Sequence, residues 1–129
     1  MIAHARETAP AECCGVLIGT RETVTDARRS RNLAGDPNRF LLDPKDHIAA
    51  RREARAHGLE VIGFYHSHPH SAPVPSATDL AEASYADHLC LIVGLVGRQP
   101  IVQLFRLDGG VFREESWVVT DATDPGAPV

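Results

Sequence analysis

Two histidines two positions apart, His66 and His68, are followed by Ser76 and, three residues later, by Asp79. Two neutral imidazoles and one carboxylate, with a position left open, form the donor set of a catalytic zinc ion. A distant acid, Glu12, lies in the stretch Pro10-Ala-Glu-Cys-Cys-Gly and could act as the base. The chemistry these residue types suggest is zinc-dependent hydrolysis, with one metal ion per chain.

Each residue also has a plainer role to weigh. Alternation along a strand puts His66 and His68 on one side, within reach of one ion, yet a His-x-His pair also occurs among ordinary core and surface histidines. Ser76-x-x-Asp79 has the spacing of a capping box, where the serine caps a helix and the acid reaches back. The two roles are compatible, because a carboxylate in a first helical turn is held rigidly. Ser76 is then either a cap alone or a donor to an oxyanion. Glu12 is either a surface acid or a general base. His70 is a rival ligand, but Pro69 breaks the strand alternation before it. His4, His47, His57 and His88 have no spacing that recommends them, and Cys13 and Cys14 read as packing residues. A zinc-deaminase site would need Pro-Cys-x-x-Cys after His-x-Glu, and the chain has neither.

The elements that must position these residues follow from local pattern. Residues 1–9 read as a short helix ending before Pro10. The apolar run 15–19 reads as a buried strand, paired as a hairpin with 22–32 through a turn at Thr20-Arg21. Residues 35–38 read as a loop and 39–43 as a short strand. Asp43-Pro44 caps and opens a helix to about residue 56, with Ile48, Ala49, Arg52 and Ala56 on one stripe and His57-Gly58 at its end. A second buried strand over 59–65 delivers His66 and His68 at its C-terminal end. A proline-rich loop over 69–75 leads to a helix capped by Ser76 or Thr78 and running to about residue 87. Strands over 89–96, 101–107 and 111–118 follow, joined by hairpin turns and hence antiparallel. The expected fold is a single-domain α/β sandwich: a mixed, mostly antiparallel sheet flanked by helices, with the histidine strand through its middle.

Bulk properties exclude several other classes. The chain has 129 residues, one ordinary domain, and enough length for a core without disulfides. A net charge of −4 with no basic tract argues against a nucleic-acid partner. Three cysteines, without a CxxC pair, are no disulfide framework and point to a reducing cytoplasm. No signal-peptide pattern and no membrane-length apolar run is visible. The domain is expected over 1–119, with a disordered polar tail over 120–129.

Glu12 before Cys14-Gly15, His66-x-His68-Pro69, and Pro75-Ser76-x-x-Asp79 together resemble the signature of the JAMM/MPN+ metalloproteases. The resemblance spans residue 1 to about 119. It implies a single α/β domain related to the cytidine deaminases, zinc on His66, His68 and Asp79, Glu12 as base and Ser76 at the oxyanion. It also implies cleavage of peptide or isopeptide bonds after the C-terminal glycines of ubiquitin-like proteins. Small bacterial members resemble enzymes that process β-grasp sulfur carriers, some of them in cysteine biosynthesis. Two departures stand out: the first helix looks short, and the long insertions that hold two ubiquitins in eukaryotic deubiquitinases have no room here. The alternatives are a deubiquitinase-type isopeptidase, a non-catalytic module that binds a ubiquitin-like partner, and a purely structural zinc site.

Overall fold

The third strand of the chain, β3, lies in the middle of the sheet. In the computed structural model, which describes residues 1–21, 23–82 and 88–120, six strands form one sheet. They are β1 (Cys14–Thr20), β2 (Thr23–Ser30), β3 (Glu60–His68), β4 (Leu89–Gly94), β5 (Ile101–Asp108) and β6 (Val111–Glu115). Their order is β2-β1-β3-β4-β5-β6. Only β3 and β4 pair in parallel; every other neighbour is antiparallel. The architecture is therefore the expected single-domain α/β arrangement with a mixed, mostly antiparallel sheet.

Both faces of the sheet are covered near β1 and β3, which explains why those strands are continuous apolar runs rather than alternating ones. On one face α1 (Ile2–Thr8) lays Ala5 into a core with Cys13, Leu17, Tyr65, Leu91 and Val93. On the other, α2 (Pro44–Ala56) lays Ala50 and Ala54 against Val16, Ile18 and Val61. Close packing also makes Gly15 obligatory. A Cβ there would stand 2.1 Å from the Tyr65 ring and 2.5 Å from the Arg28 carbonyl oxygen.

Several expected boundaries shift. The stripe through Ile48 is not the buried one: Ile48 is exposed, and Ala50 and Ala54 face the sheet. A helix this close to a sheet accommodates methyl groups, not a butyl side chain. Residues 39–43 form no strand; one isolated bridge, Asn32 to Leu42, is all that pairs there. Side-chain hydrogen bonds take the place of a ladder, as described below. β6 stops at Glu115 rather than near 118. α2 starts as expected, with the Asp43 carboxylate accepting from Lys45 N–H at 2.9 Å and Pro44 in the first turn. It ends at His57 before Gly58, whose φ of 69° suits glycine. The helix α3 (Ala77–Glu82) is the described part of the one expected to reach residue 87; residues 83–87 and the tail 121–129 lie outside the described residues. No helix among the described residues is long and apolar enough to cross a membrane.

Candidate metal centre

His66 and His68 close the C-terminal end of β3, and both are buried. Their Nε2 atoms lie 3.1 Å apart. Asp79 Oδ2, from the first turn of α3, is 3.2 Å from His66 Nε2 and 3.1 Å from His68 Nε2. The three ligand atoms thus form a nearly equilateral triangle. Hydrogen bonding alone does not account for it, because an imidazole nitrogen offers one proton or one lone pair along one direction and here has two neighbours about 60° apart. A tetrahedral ion with arms of about 2.0–2.1 Å requires ligand atoms about 3.3–3.4 Å apart, close to the triangle found. The donor set and its spacing fit a metal ion.

Supporting contacts aim these atoms. His68 Nδ1 lies 2.8 Å from the Ala72 carbonyl oxygen, which can only accept, so Nδ1 carries the proton and Nε2 presents its lone pair inward. The Phe40 ring stacks on His66 with centroids 4.4 Å apart and planes inclined by 21°. Asp79 and Ser76 form the reciprocal cap: Asp79 N–H donates to Ser76 Oγ at 3.0 Å, and Ser76 N–H donates to Asp79 Oδ2 at 2.9 Å. The oxygen of Asp79 that accepts in the cap is therefore the same one that stands in the triangle with His66 and His68. Without an ion, burial favours neutral Asp79, but the hydrogen bonds it accepts from Nε2 of His66 and His68 when those rings are protonated outweigh burial and hold the carboxyl well below its usual range. Burial also lowers the His66 pKa, whereas at His68 the hydrogen bonds to Asp79 and Ala72 outweigh burial and raise it.

Glu12 joins this group. Its carboxylate and the ligand atoms of His66, His68 and Asp79 all lie within 4.8 Å of one another. The reason is register. In the β1–β3 pairing Cys14 lies opposite His66; the same register carried two residues back brings Glu12 beside His68, on the same face by alternation. The backbone there is pinned from three sides. Cys13 N–H donates to Ser67 Oγ at 2.8 Å, Ser67 N–H donates to Cys13 O at 3.2 Å, and Glu12 N–H donates to Pro37 O at 3.0 Å. Asn32 Nδ2 donates to Glu12 O at 3.0 Å and to Arg39 O at 2.9 Å, while its Oδ1 accepts from Ala34 and Leu41 N–H, each at 2.9 Å. One amide thus ties the Glu12 segment to the loop that carries Phe40. Asn32, Phe40 and Ser67 have no spacing signal in the sequence.

The remaining candidates fall outside the group. His70 is exposed. Cys13 and Cys14 are buried, and burial raises both thiols, Cys14 to about 12, so neither is a ready thiolate nucleophile or ligand. His4 bonds the Tyr65 hydroxyl at 2.8 Å on the α1 side. His47 and His88 line a cavity of about 670 Å³ that opens beside His66 and Asp79.

The chain matches the family model of prokaryotic homologues of the JAB domain over residues 1–108. It belongs to that family. This JAB domain is 40% identical over 126 residues to a protein named desampylase from Haloferax volcanii, covering 92% of this chain and 88% of the relative. It is 29% identical over 118 residues to the CysO-cysteine peptidase of Mycobacterium tuberculosis, covering 89% and 81%. A solution structure of a protein from Desulfitobacterium hafniense superposes with a TM-score of 0.85 at 31% identity, covering 94% of this chain and 86% of that one. The JAMM resemblance seen in the motif and the family match thus agree.

Proposed function

We propose that this chain is a zinc-dependent peptidase that hydrolyses the peptide or isopeptide bond after the C-terminal Gly-Gly of a ubiquitin-like sulfur carrier. The observation that carries this reading is the triangle of His66, His68 and Asp79 with Glu12 beside it. The relatives named desampylase and CysO-cysteine peptidase support the substrate class. We take residues 1–119 as the catalytic domain, acting in the cytoplasm.

His66, His68 and Asp79 would hold the ion. When bound, it supplies Lewis acidity to the scissile carbonyl and lowers the pKa of water. Glu12 takes the proton of the attacking water and later delivers it to the leaving amine. The backbone bonds at Glu12, Cys13 and Asn32 keep that carboxylate in place through both transfers. Ser76 Oγ accepts from Asp79 N–H, which leaves its own hydroxyl proton to donate to the oxyanion. The side chain is exposed and so within reach of a substrate. No covalent enzyme intermediate is needed, consistent with the protonated cysteines.

The test is intact-mass spectrometry of a β-grasp sulfur carrier bearing a C-terminal cysteine or short extension. The expected result is loss of every residue after Gly-Gly, stopped by a chelator and restored by zinc. A sample holding one zinc per chain that leaves the carrier intact, but cuts diubiquitin, would move the reading to a deubiquitinase. One that cuts neither would leave a binding module.

Ser76→Ala separates the two roles of that serine. Loss of a cap costs about 1 kcal/mol of stability and leaves the rate alone. Loss of an oxyanion donor lowers kcat by roughly 10²–10³. We expect the rate effect, at near-normal KM; a variant that melts earlier but turns over normally would make Ser76 a cap only.

A further inference from the structure

Beside the cavity that opens at His66 and Asp79 lies a second, of about 660 Å³. Its described lining includes Arg21, Arg51, Arg55 and Arg106, with Glu60 as the one carboxylate among those residues. His88 lines both cavities, and α2 flanks both: His47 faces the first, Arg51 and Arg55 the second. Those three α2 residues recur every four positions and so form one stripe along the helix. Phe64, Leu107 and Phe112 give the first cavity apolar lining.

We propose that the arginine cavity docks an acidic segment of the protein substrate, whose tail then runs through the first cavity to the metal centre. This rests on the peptidase reading above. The charge argument is local. The chain carries a net charge of −4, yet here four guanidinium groups face two carboxylates, Glu60 in the lining and Glu115 paired with Arg106, and leave a local positive excess. Such a focus attracts an acidic surface. Guanidinium also remains charged at any working pH and pairs with carboxylates in a bidentate fork.

Two of the arginines are braced: Arg51 Nε donates to His47 Nε2 at 2.8 Å, and Arg106 Nε donates to Glu115 Oε1 at 2.6 Å. Arg21, at the β1–β2 turn, and Arg55, in the last turn of α2, are exposed and supply charge at the mouth. Spacing fixes where the acidic residues belong. Val61 lines the arginine cavity and His66 the other, five positions along β3, or about 16 Å. An extended tail covers that distance in about five residues. The docked acids therefore sit roughly five residues before the scissile bond, where a flexible tail joins its folded body.

The test compares the wild-type chain with Arg21→Glu/Arg55→Glu and the milder Arg21→Gln/Arg55→Gln. Neither position touches the metal centre. Substrates are the extended carrier and a short Gly-Gly peptide without acidic residues; binding is read with a fluorescein-labelled glutamate-rich peptide. At low ionic strength the reversed variant should raise KM for the carrier by roughly tenfold or more and flatten the salt dependence of kcat/KM, with kcat unchanged. The short peptide should be cut equally by all three proteins, which also reports correct folding. Unchanged KM and salt dependence, with the wild type active on the carrier, overturns the docking site and leaves the peptidase reading intact. A wild type that cuts nothing, yet binds the acidic peptide in a way the reversal abolishes, overturns the peptidase reading and keeps the acidic-segment site. Neither binding nor cleavage overturns both. Displacement of the labelled peptide by inorganic phosphate at equal concentration would assign the cavity to a small anion instead and overturn the proposal.

Discussion

Glu12→Gln should bind zinc as the wild type does and lose about 10³-fold in kcat, within the 10²–10⁴ that a positioned general base contributes. Three features of the structure make this substitution clean. Glutamine keeps the side-chain length and shape, so the buried site is neither emptied nor overfilled. The segment is held through backbone atoms, by Pro37 O on the Glu12 N–H and by Asn32 on the Glu12 carbonyl, so it does not depend on the carboxylate. The triangle of His66, His68 and Asp79 is complete without Glu12. The amide cannot take a proton at working pH, so loss of the base should appear in kcat with KM little changed. Metal content and single-turnover rate on the extended carrier would be measured side by side. A glutamine variant that cleaves near the wild-type rate would remove Glu12 from the base role. One that loses its zinc would make Glu12 a fourth ligand instead, as its place within 4.8 Å of the other donors permits.

Position in the chain decides how much of this centre is readable from sequence. His66, His68 and Asp79 lie within one short stretch, and two local rules place them: strand alternation for the histidines and first-turn helix geometry for the acid. Nothing local connects Glu12 to them. Its place depends on the β1–β3 register, with Cys14 opposite His66, and sequence alone reaches it only through the family motif. Asn32 and Ser67 are harder still, because they act on backbone groups of distant segments, and such bonds impose no periodicity. The fold shows the same division. Strands, hairpins and helix caps follow from local pattern, whereas the buried stripe of α2 depends on how closely the helix approaches the sheet. Hydropathy selects Ile48; the contact admits Ala50 and Ala54. The loop before α2 reads as a strand from its apolar residues, but Asn32 bonds to its backbone at Arg39 and Leu41 and holds it as a wall over His66.

Asp79→Ala should abolish both metal binding and activity, and Asp79→Asn distinguishes why. The alanine variant removes the anionic ligand and also the acceptor of the Ser76 N–H bond. The asparagine variant keeps a side-chain oxygen for that bond but removes the charge. Outer partners of metal ligands alone are worth about 10–100-fold in affinity, so loss of a direct ligand should exceed that. Both variants should therefore lose zinc under dialysis conditions that leave the wild type loaded. They should differ in stability. Both lose the charge interactions of the Asp79 carboxylate with His66 and His68, but only the alanine variant also loses half of the reciprocal cap, so it should be the less stable of the two by about 1 kcal/mol. That comparison must use metal-free protein throughout, because a bound ion stabilises the folded state by mass action and would hide the cap. Zinc retention by the alanine variant at near wild-type affinity would reduce Asp79 to a helix cap. Retention by asparagine alone would show that an oxygen at this position suffices and that its charge does not matter.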